Sequence, residues 1–138
     1  MQLLNEILEK YLDYDYGELV RHAKRDMELL LPVFDTLAFD KNGKPYVMIF
    51  MCTALASDGK FSDAEFKFIN DLMGFDREYA EKLIEKHKDV RAIELSDRVF
   101  DLCNESIKAV LTDFCLCFLA VDDEINDKER DFIARLLA

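Results

Sequence analysis

The sequence predicts an all-α protein, a helical bundle of about six to eight helices with an internal pseudo-two-fold repeat of helix–acidic turn–helix units. Three observations predict it. Apolar residues recur at helical spacing along most of the chain. Four glycines and two prolines in 138 residues are too few for a loop-rich β protein. A stretch of the chain also matches a second one 64 residues further on. At this length a single domain over 1–138 is expected, and 51% hydrophobic residues suffice for its core.

The elements follow in order. Leu3, Leu4, Ile7, Leu8, Tyr11 and Leu12 form the stripe of a first amphipathic helix. After a Tyr/Asp turn and Gly17, a second stripe runs through Leu19, Val20, Ala23, Met27, Leu30, Leu31 and Phe34. Pro32 predicts a kink there, or a restart with Pro32 in a first turn. Residues 39–45 read either as a hairpin turning at Asn42-Gly43 or as a polar loop with Pro45 opening a helix. Tyr46 to Ser57 is apolar on every face and belongs at the centre of a bundle. Phe61, Phe68, Ile69, Leu72 and Met73 mark an amphipathic helix over 62–73, with Gly74 placed to end it. Asp76 caps a further helix with Tyr79, Leu83 and Ile84 inward, ending near Lys88. Ser96 caps another through Val99, Phe100 and Cys103. Ile107 to Val121 is again mostly apolar, and Asn126 to Leu137 closes the chain as an amphipathic helix.

The repeat aligns residues 50–72 with 114–136 without a gap. The identical pairs are Phe50/Phe114, Leu55/Leu119, Ala56/Ala120, Asp58/Asp122, Asp63/Asp127, Glu65/Glu129, Phe68/Phe132, Ile69/Ile133 and Leu72/Leu136. Chance supplies roughly two matches over such a window, so the copies, about 46–73 and 107–137, are a duplication. The second copy's apolar helix is too long for a strand. Its counterpart at 46–57 is therefore a helix too, which removes the hairpin.

A net charge of −11 repels phosphate backbones and anionic lipid, so nucleic acid is not an expected partner. It suits basic protein partners and divalent cations. Cys52, Cys103, Cys115 and Cys117 all lie in apolar stretches without zinc-ligand spacing, as buried free thiols of a cytoplasmic protein do. The N-terminus lacks a signal peptide's basic start, and the longest apolar run is too short to span a bilayer. Peripheral membrane association and oligomeric state stay open. His22 and His87 lie on amphipathic helices, as surface or helix-end residues. The common nucleotide-binding and serine-hydrolase motifs are absent, so no catalytic residue is assigned.

The turns Asp58 to Glu65 and Asp122 to Glu129 match only the second half of an EF-hand loop. Ala54 and Ala56, or Phe118 and Ala120, stand where its first oxygen ligands would be, so neither turn coordinates calcium alone. Ser62-x-x-Glu65 is a capping box, and Asn126-x-x-Glu129 is a near equivalent. Capping leaves Asp58 and Asp122 unexplained, because each ends a helix where the dipole disfavours an anion. If the turns pack together, Asp58, Glu65, Asp122 and Glu129 supply four carboxylates, a set suited to Ca²⁺ or Mg²⁺.

The motif Ala54-x-Ala56-x-Asp58-Gly59-x-Phe61-Ser62-x-x-Glu65, repeated as Ala120-x-Asp122-x-x-Ile125-x-x-x-Glu129, resembles the TerB-like family. That family is named for tellurite-resistance proteins and includes the N-terminal module of a membrane-associated DnaJ-like co-chaperone. The resemblance covers roughly residues 18–138. It implies an all-helical bundle with pseudo-symmetry, no established catalysis, a proposed metal-binding role and a link to stress response, commonly near membranes. On this sequence its acidic positions are Asp58, Glu65, Asp122 and Glu129. Asp123 departs from it, standing where glycine is expected. The resulting expectation is a non-enzymatic, stress-linked domain binding a divalent cation, a protein partner, or both. A purely structural interaction module with capped helices and a metal-dependent hydrolase are the alternatives.

Overall fold

The computed structural model describes residues 2–37, 43–54, 61–87, 98–99, 101–121, 129–131 and 133–134. Among them no strand occurs. The helices are α1 (Gln2–Leu12), α2 (Tyr16–Leu37), α3 (Lys44–Ala54), α4 (Asp63–Met73), α5 (Arg77–His87) and α6 (Glu105–Ala120). Residues 98–99 and 101–102 are helical as well, as are 129–131 and 133–134. The all-α bundle expected from the stripes is the observed architecture. No helix among the described residues is long and apolar enough to cross a membrane.

Local chemistry sets the helix ends. Asp15 opens α2, its Oδ1 accepting from the Glu18 amide at 2.8 Å, so Gly17 falls in the first turn of the helix rather than before it. α2 runs without a break through Pro32 to Leu37. Neither a restart nor a new cap is needed, because the stripe above and below Pro32 faces one core: Met27, Leu30 and Phe34 are all buried. α3 has Pro45 in its first turn, where a missing N–H costs nothing. Ser62 and Glu65 form the predicted capping box on α4, and Gly74 ends that helix at φ +77°, donating its amide to the Asn70 carbonyl. Asp76 caps α5 through the Tyr79 amide at 2.7 Å. Asn104 caps α6 through the Ile107 amide at 2.9 Å. Ser96 and Asn126 lie outside the described residues.

One helix differs from expectation in what it buries. Tyr79 of α5 is 40% exposed, and Ala80 occupies the fully buried position instead. Tyr79 rests on Phe75 at 4.9 Å between ring centroids, so the stripe faces inward through a small residue, with Leu83 and Ile84 half-buried.

The core is centred on the two apolar helices. Val47 to Met51 of α3 and Phe114 to Ala120 of α6 are buried without interruption. Phe118 meets Phe61 and Phe68 edge-on at 5.6 and 6.1 Å, while Phe34 of α2 meets Phe50 of α3 at 5.7 Å. Positions equivalent in the repeat share their burial: Phe50 with Phe114, Ile69 with Ile133, and Glu65 with Glu129. The most extensive helix–helix contact joins α2 to α6. α1 packs on α6 and also meets the chain's last segment, where Arg130 donates to Asn5.

Candidate functional site

Of the four acidic turn residues, Glu65 and Glu129 are described and both are buried, at 6% and 8% exposure. Buried carboxylates are uncommon unless something engages them. For Glu65 one partner is explicit. Its Oε1 accepts from the Ser62 amide at 2.7 Å, while Ser62 Oγ accepts from the Glu65 amide at 3.2 Å. Capping thus engages Oε1 of Glu65. Asp63, in the same first helical turn, is exposed and pairs with Arg77 at 2.6 Å. Asp58 and Asp122 lie outside the described residues, and so does the meeting of the two turns.

A second polar group stands where α1, α2 and α6 meet. It was not legible as a site from the residue patterns above. Asp26 on α2 is 3% exposed, and Asp113 on α6 has a side chain 20% exposed. Tyr11 of α1 donates its hydroxyl to Asp113 Oδ1. His22 Nδ1 lies 3.6 Å from Asp113 Oδ2, and its ring stacks on Tyr14 at 5.2 Å between centroids. Arg25 reaches to 4.0 Å from Asp26 and 3.9 Å from Asp113. His22 is therefore partly exposed and stands in mid-helix rather than at a helix end. It stands one helical turn before Asp26 on α2, against α6. The side chain of His87 lies outside the described residues.

The electrostatics of this group are those of two carboxyls sharing a buried place. Burial, then the hydrogen bond and charge of Asp113, push the Asp26 carboxyl up to about 8. Burial also works to raise Asp113. Hydrogen bonds from Asp26 and Tyr11 and the proximity of His22 outweigh that, holding it below the ordinary carboxylate range. Asp26 thus keeps its proton at neutral pH and Asp113 carries the charge. Burial and the Asp113 carboxylate push the Tyr11 phenol up, so it remains a donor.

Cys115 and Cys117 are both fully buried, and Cys103 is half-buried; all three are free thiols. Cys115 and Cys117 point in different directions from α6 yet are equally buried, because this half of the helix is enclosed on all sides. Burial pushes both thiols up, and for Cys117 the carboxyls of Asp113 and Asp26 add to it. The side chain of Cys52 lies outside the described residues.

Two sequence signals point to this group. Asp113 is the single charged residue between Ala109 and Ala120, and it stands where the first copy has the buried Ile49. His22 and Asp26 are four apart on α2, as Asp113 and Cys117 are on α6, and that spacing puts each pair on one helix face. Comparison of the chain with family models, with curated proteins and with solved structures gives no match in any of the three.

Proposed function

We propose that this chain is a non-enzymatic, stress-linked helical domain that takes up a hard divalent cation, Ca²⁺ or Mg²⁺, through its two acidic turns. The observation that carries the reading is the equivalent burial of Glu65 and Glu129. With Asp26 they make up the buried polar or charged side chains of the described residues, and they occupy one register of the duplicated unit. Burying the same acid in both copies marks a position where each unit holds a carboxylate in place rather than leaving it to solvent. Asp58 and Asp122 are assigned as the remaining ligands on the repeat alone. The likeness of the motif to TerB-like proteins supports the same reading, and so does the net charge of −11.

A second reading is favoured by one specific contact. The complete Ser62–Glu65 capping box gives Glu65 a structural task that needs no cation. Under that reading the domain is an interaction module and its acidic turns only fix helix ends.

Replacing both glutamates by glutamine separates the two, because glutamine still accepts from the N-cap amide but carries no charge. Saturating cation, at about 100 times its dissociation constant, should stabilise the wild-type chain by about 2.7 kcal/mol. For a chain of this length that is a rise of roughly 5–11 °C in Tm. Glu65→Gln/Glu129→Gln should lose most of the rise. Equal melting points with and without millimolar Ca²⁺ or Mg²⁺ leave capping as the role of both residues.

A further inference from the structure

Three buried side-chain atoms among the described residues lack a hydrogen-bond partner: His22 Nδ1, Asp26 Oδ2 and Asp113 Oδ2. All three belong to the group between α2 and α6. Orphaned buried polar atoms are rare and need an account, and three in one place need a common one. A ring nitrogen of His22, an Asp113 carboxylate oxygen and the Cys117 Sγ lie within 4.8 Å of one another. Asp26, 3% exposed, adjoins them beside Asp113.

We infer that His22, Asp113 and Cys117 form a binding site for a borderline transition-metal ion, Zn²⁺ foremost, distinct from the acidic turns. The geometry favours an ion over a direct contact. At 3.6 Å, His22 Nδ1 and Asp113 Oδ2 are too far apart for a good hydrogen bond. They are close to the edge of a zinc tetrahedron, about 3.4 Å for metal–ligand bonds of about 2.1 Å. Two facing helices, each offering a pair of residues one turn apart, let a metal clamp the bundle from within.

The donor set selects the class of ion. One imidazole nitrogen, one carboxylate oxygen and one sulfur suit zinc and its neighbours, whereas calcium and magnesium take oxygen alone. Water completes a fourth position, with the protonated Asp26 beside it. Coordination deprotonates the Cys117 thiol, and the proton leaves to solvent. The ion's two positive charges then meet one thiolate and one carboxylate, so the buried site is neutral with His22 uncharged. The orienting contacts are in place as well. Tyr11 holds the other oxygen of Asp113, and Tyr14 stacks against the His22 ring. A trapped water is the other occupant that meets three such atoms, and a site that holds only water would show no metal binding in the titration below.

The site does not depend on the proposed role of the turns, and the two are tested by different ions. The metal-free chain, kept reduced with a phosphine, is titrated with Co²⁺ and then with Zn²⁺. The expected result is one Co²⁺ per chain, with a sulfur-to-cobalt charge-transfer band in the near ultraviolet that Zn²⁺ abolishes. Cys117→Ser should lose the band. Cys115→Ser and Cys103→Ser should keep it, as should Glu65→Gln/Glu129→Gln. Tyr11→Phe should weaken binding about 10–100-fold, the usual cost of losing an orienting partner. His22→Gln should exceed that loss, and its half-exposed position keeps the test open should Cys117→Ser fail to fold. Absence of the band in the wild-type chain overturns the proposal. So does a band that survives Cys117→Ser, or one unchanged by His22→Gln.

Discussion

Asp113 is the residue at which an apolar pattern carries something other than packing. Its partners come from two other helices, Tyr11 on α1 and His22, Arg25 and Asp26 on α2. Helical periodicity assigns each of these side chains to a face, but it does not tell which faces meet, and so the group escaped a reading made element by element. An acid in the middle of an otherwise apolar helix was the available signal. The turn residues show the reverse. Ser62 and Glu65 interact across three positions of one segment, so their capping box was fully legible in sequence. Asp26 makes a prediction at this scale. Its carboxyl is pushed up to about 8 in the folded chain and ionises near 4 once unfolded. Between those values the folded state binds the extra proton. Its contribution to stability is therefore full below about pH 4 and is lost as pH rises through about 8. The groups around it are Tyr11 of α1, His22 and Arg25 of α2, and Asp113, Cys115 and Cys117 of α6. Asn is a neutral donor of the same shape, so Asp26→Asn should match the wild-type chain within about 1 kcal/mol at pH 5. At pH 9 it should be the more stable of the two. Urea unfolding at both values, with metal removed by chelator, checks the crossover.

At the scale of the element, helix existence followed from periodicity, and the helix ends at Ser62, Gly74 and Asp76 followed from the sequence, whereas the caps Asp15 and Asn104 emerged only in the structure. What periodicity did not give is the continuity of α2 through Pro32, since tertiary packing of one face outweighs the loss of one backbone hydrogen bond. Nor did it show why the chain turns between α2 and α3 with glycine at position 43. Gly43 is buried against the end of α2 and donates its amide to Asp35 Oδ1 at 2.6 Å. A Cβ there would stand 2.6 Å from the Asp35 backbone nitrogen and 2.8 Å from the Phe34 carbonyl carbon. Backbone cannot yield as a side-chain tip can, so Gly43→Ala should cost about 1–3 kcal/mol. Gly74→Ala places its Cβ in open space, but its left-handed backbone makes it costly by about 1 kcal/mol. Denaturant midpoints of the two variants measure both; a neutral Gly43→Ala would contradict the packing of this turn. Capping offers a third comparison on α4. Ser62→Ala should cost about 0.5–2 kcal/mol, whereas Glu65→Gln should cost little.

For the molecule as a whole, duplication was the most informative feature of the sequence. It decided against a hairpin over 39–45 and for a helix through 46–57, and it placed α3 and α6 at the centre, where Val47 to Met51 and Phe114 to Ala120 are buried. Amide exchange should accordingly be slowest in those two runs. Early exchange of α6 would mean that the bundle is not organised around it. The function assigned to the molecule rests on the same duplication, because it requires the two acidic turns to act as one. Residue-by-residue amide chemical shifts, followed during titration of the wild-type chain with CaCl₂, address that requirement most directly. The account predicts that resonances of both turns, 58–65 and 122–129, move together along one saturating isotherm with a single midpoint. Shifts at one turn alone, two separate midpoints, or small non-saturating shifts scattered over acidic surface residues would contradict it.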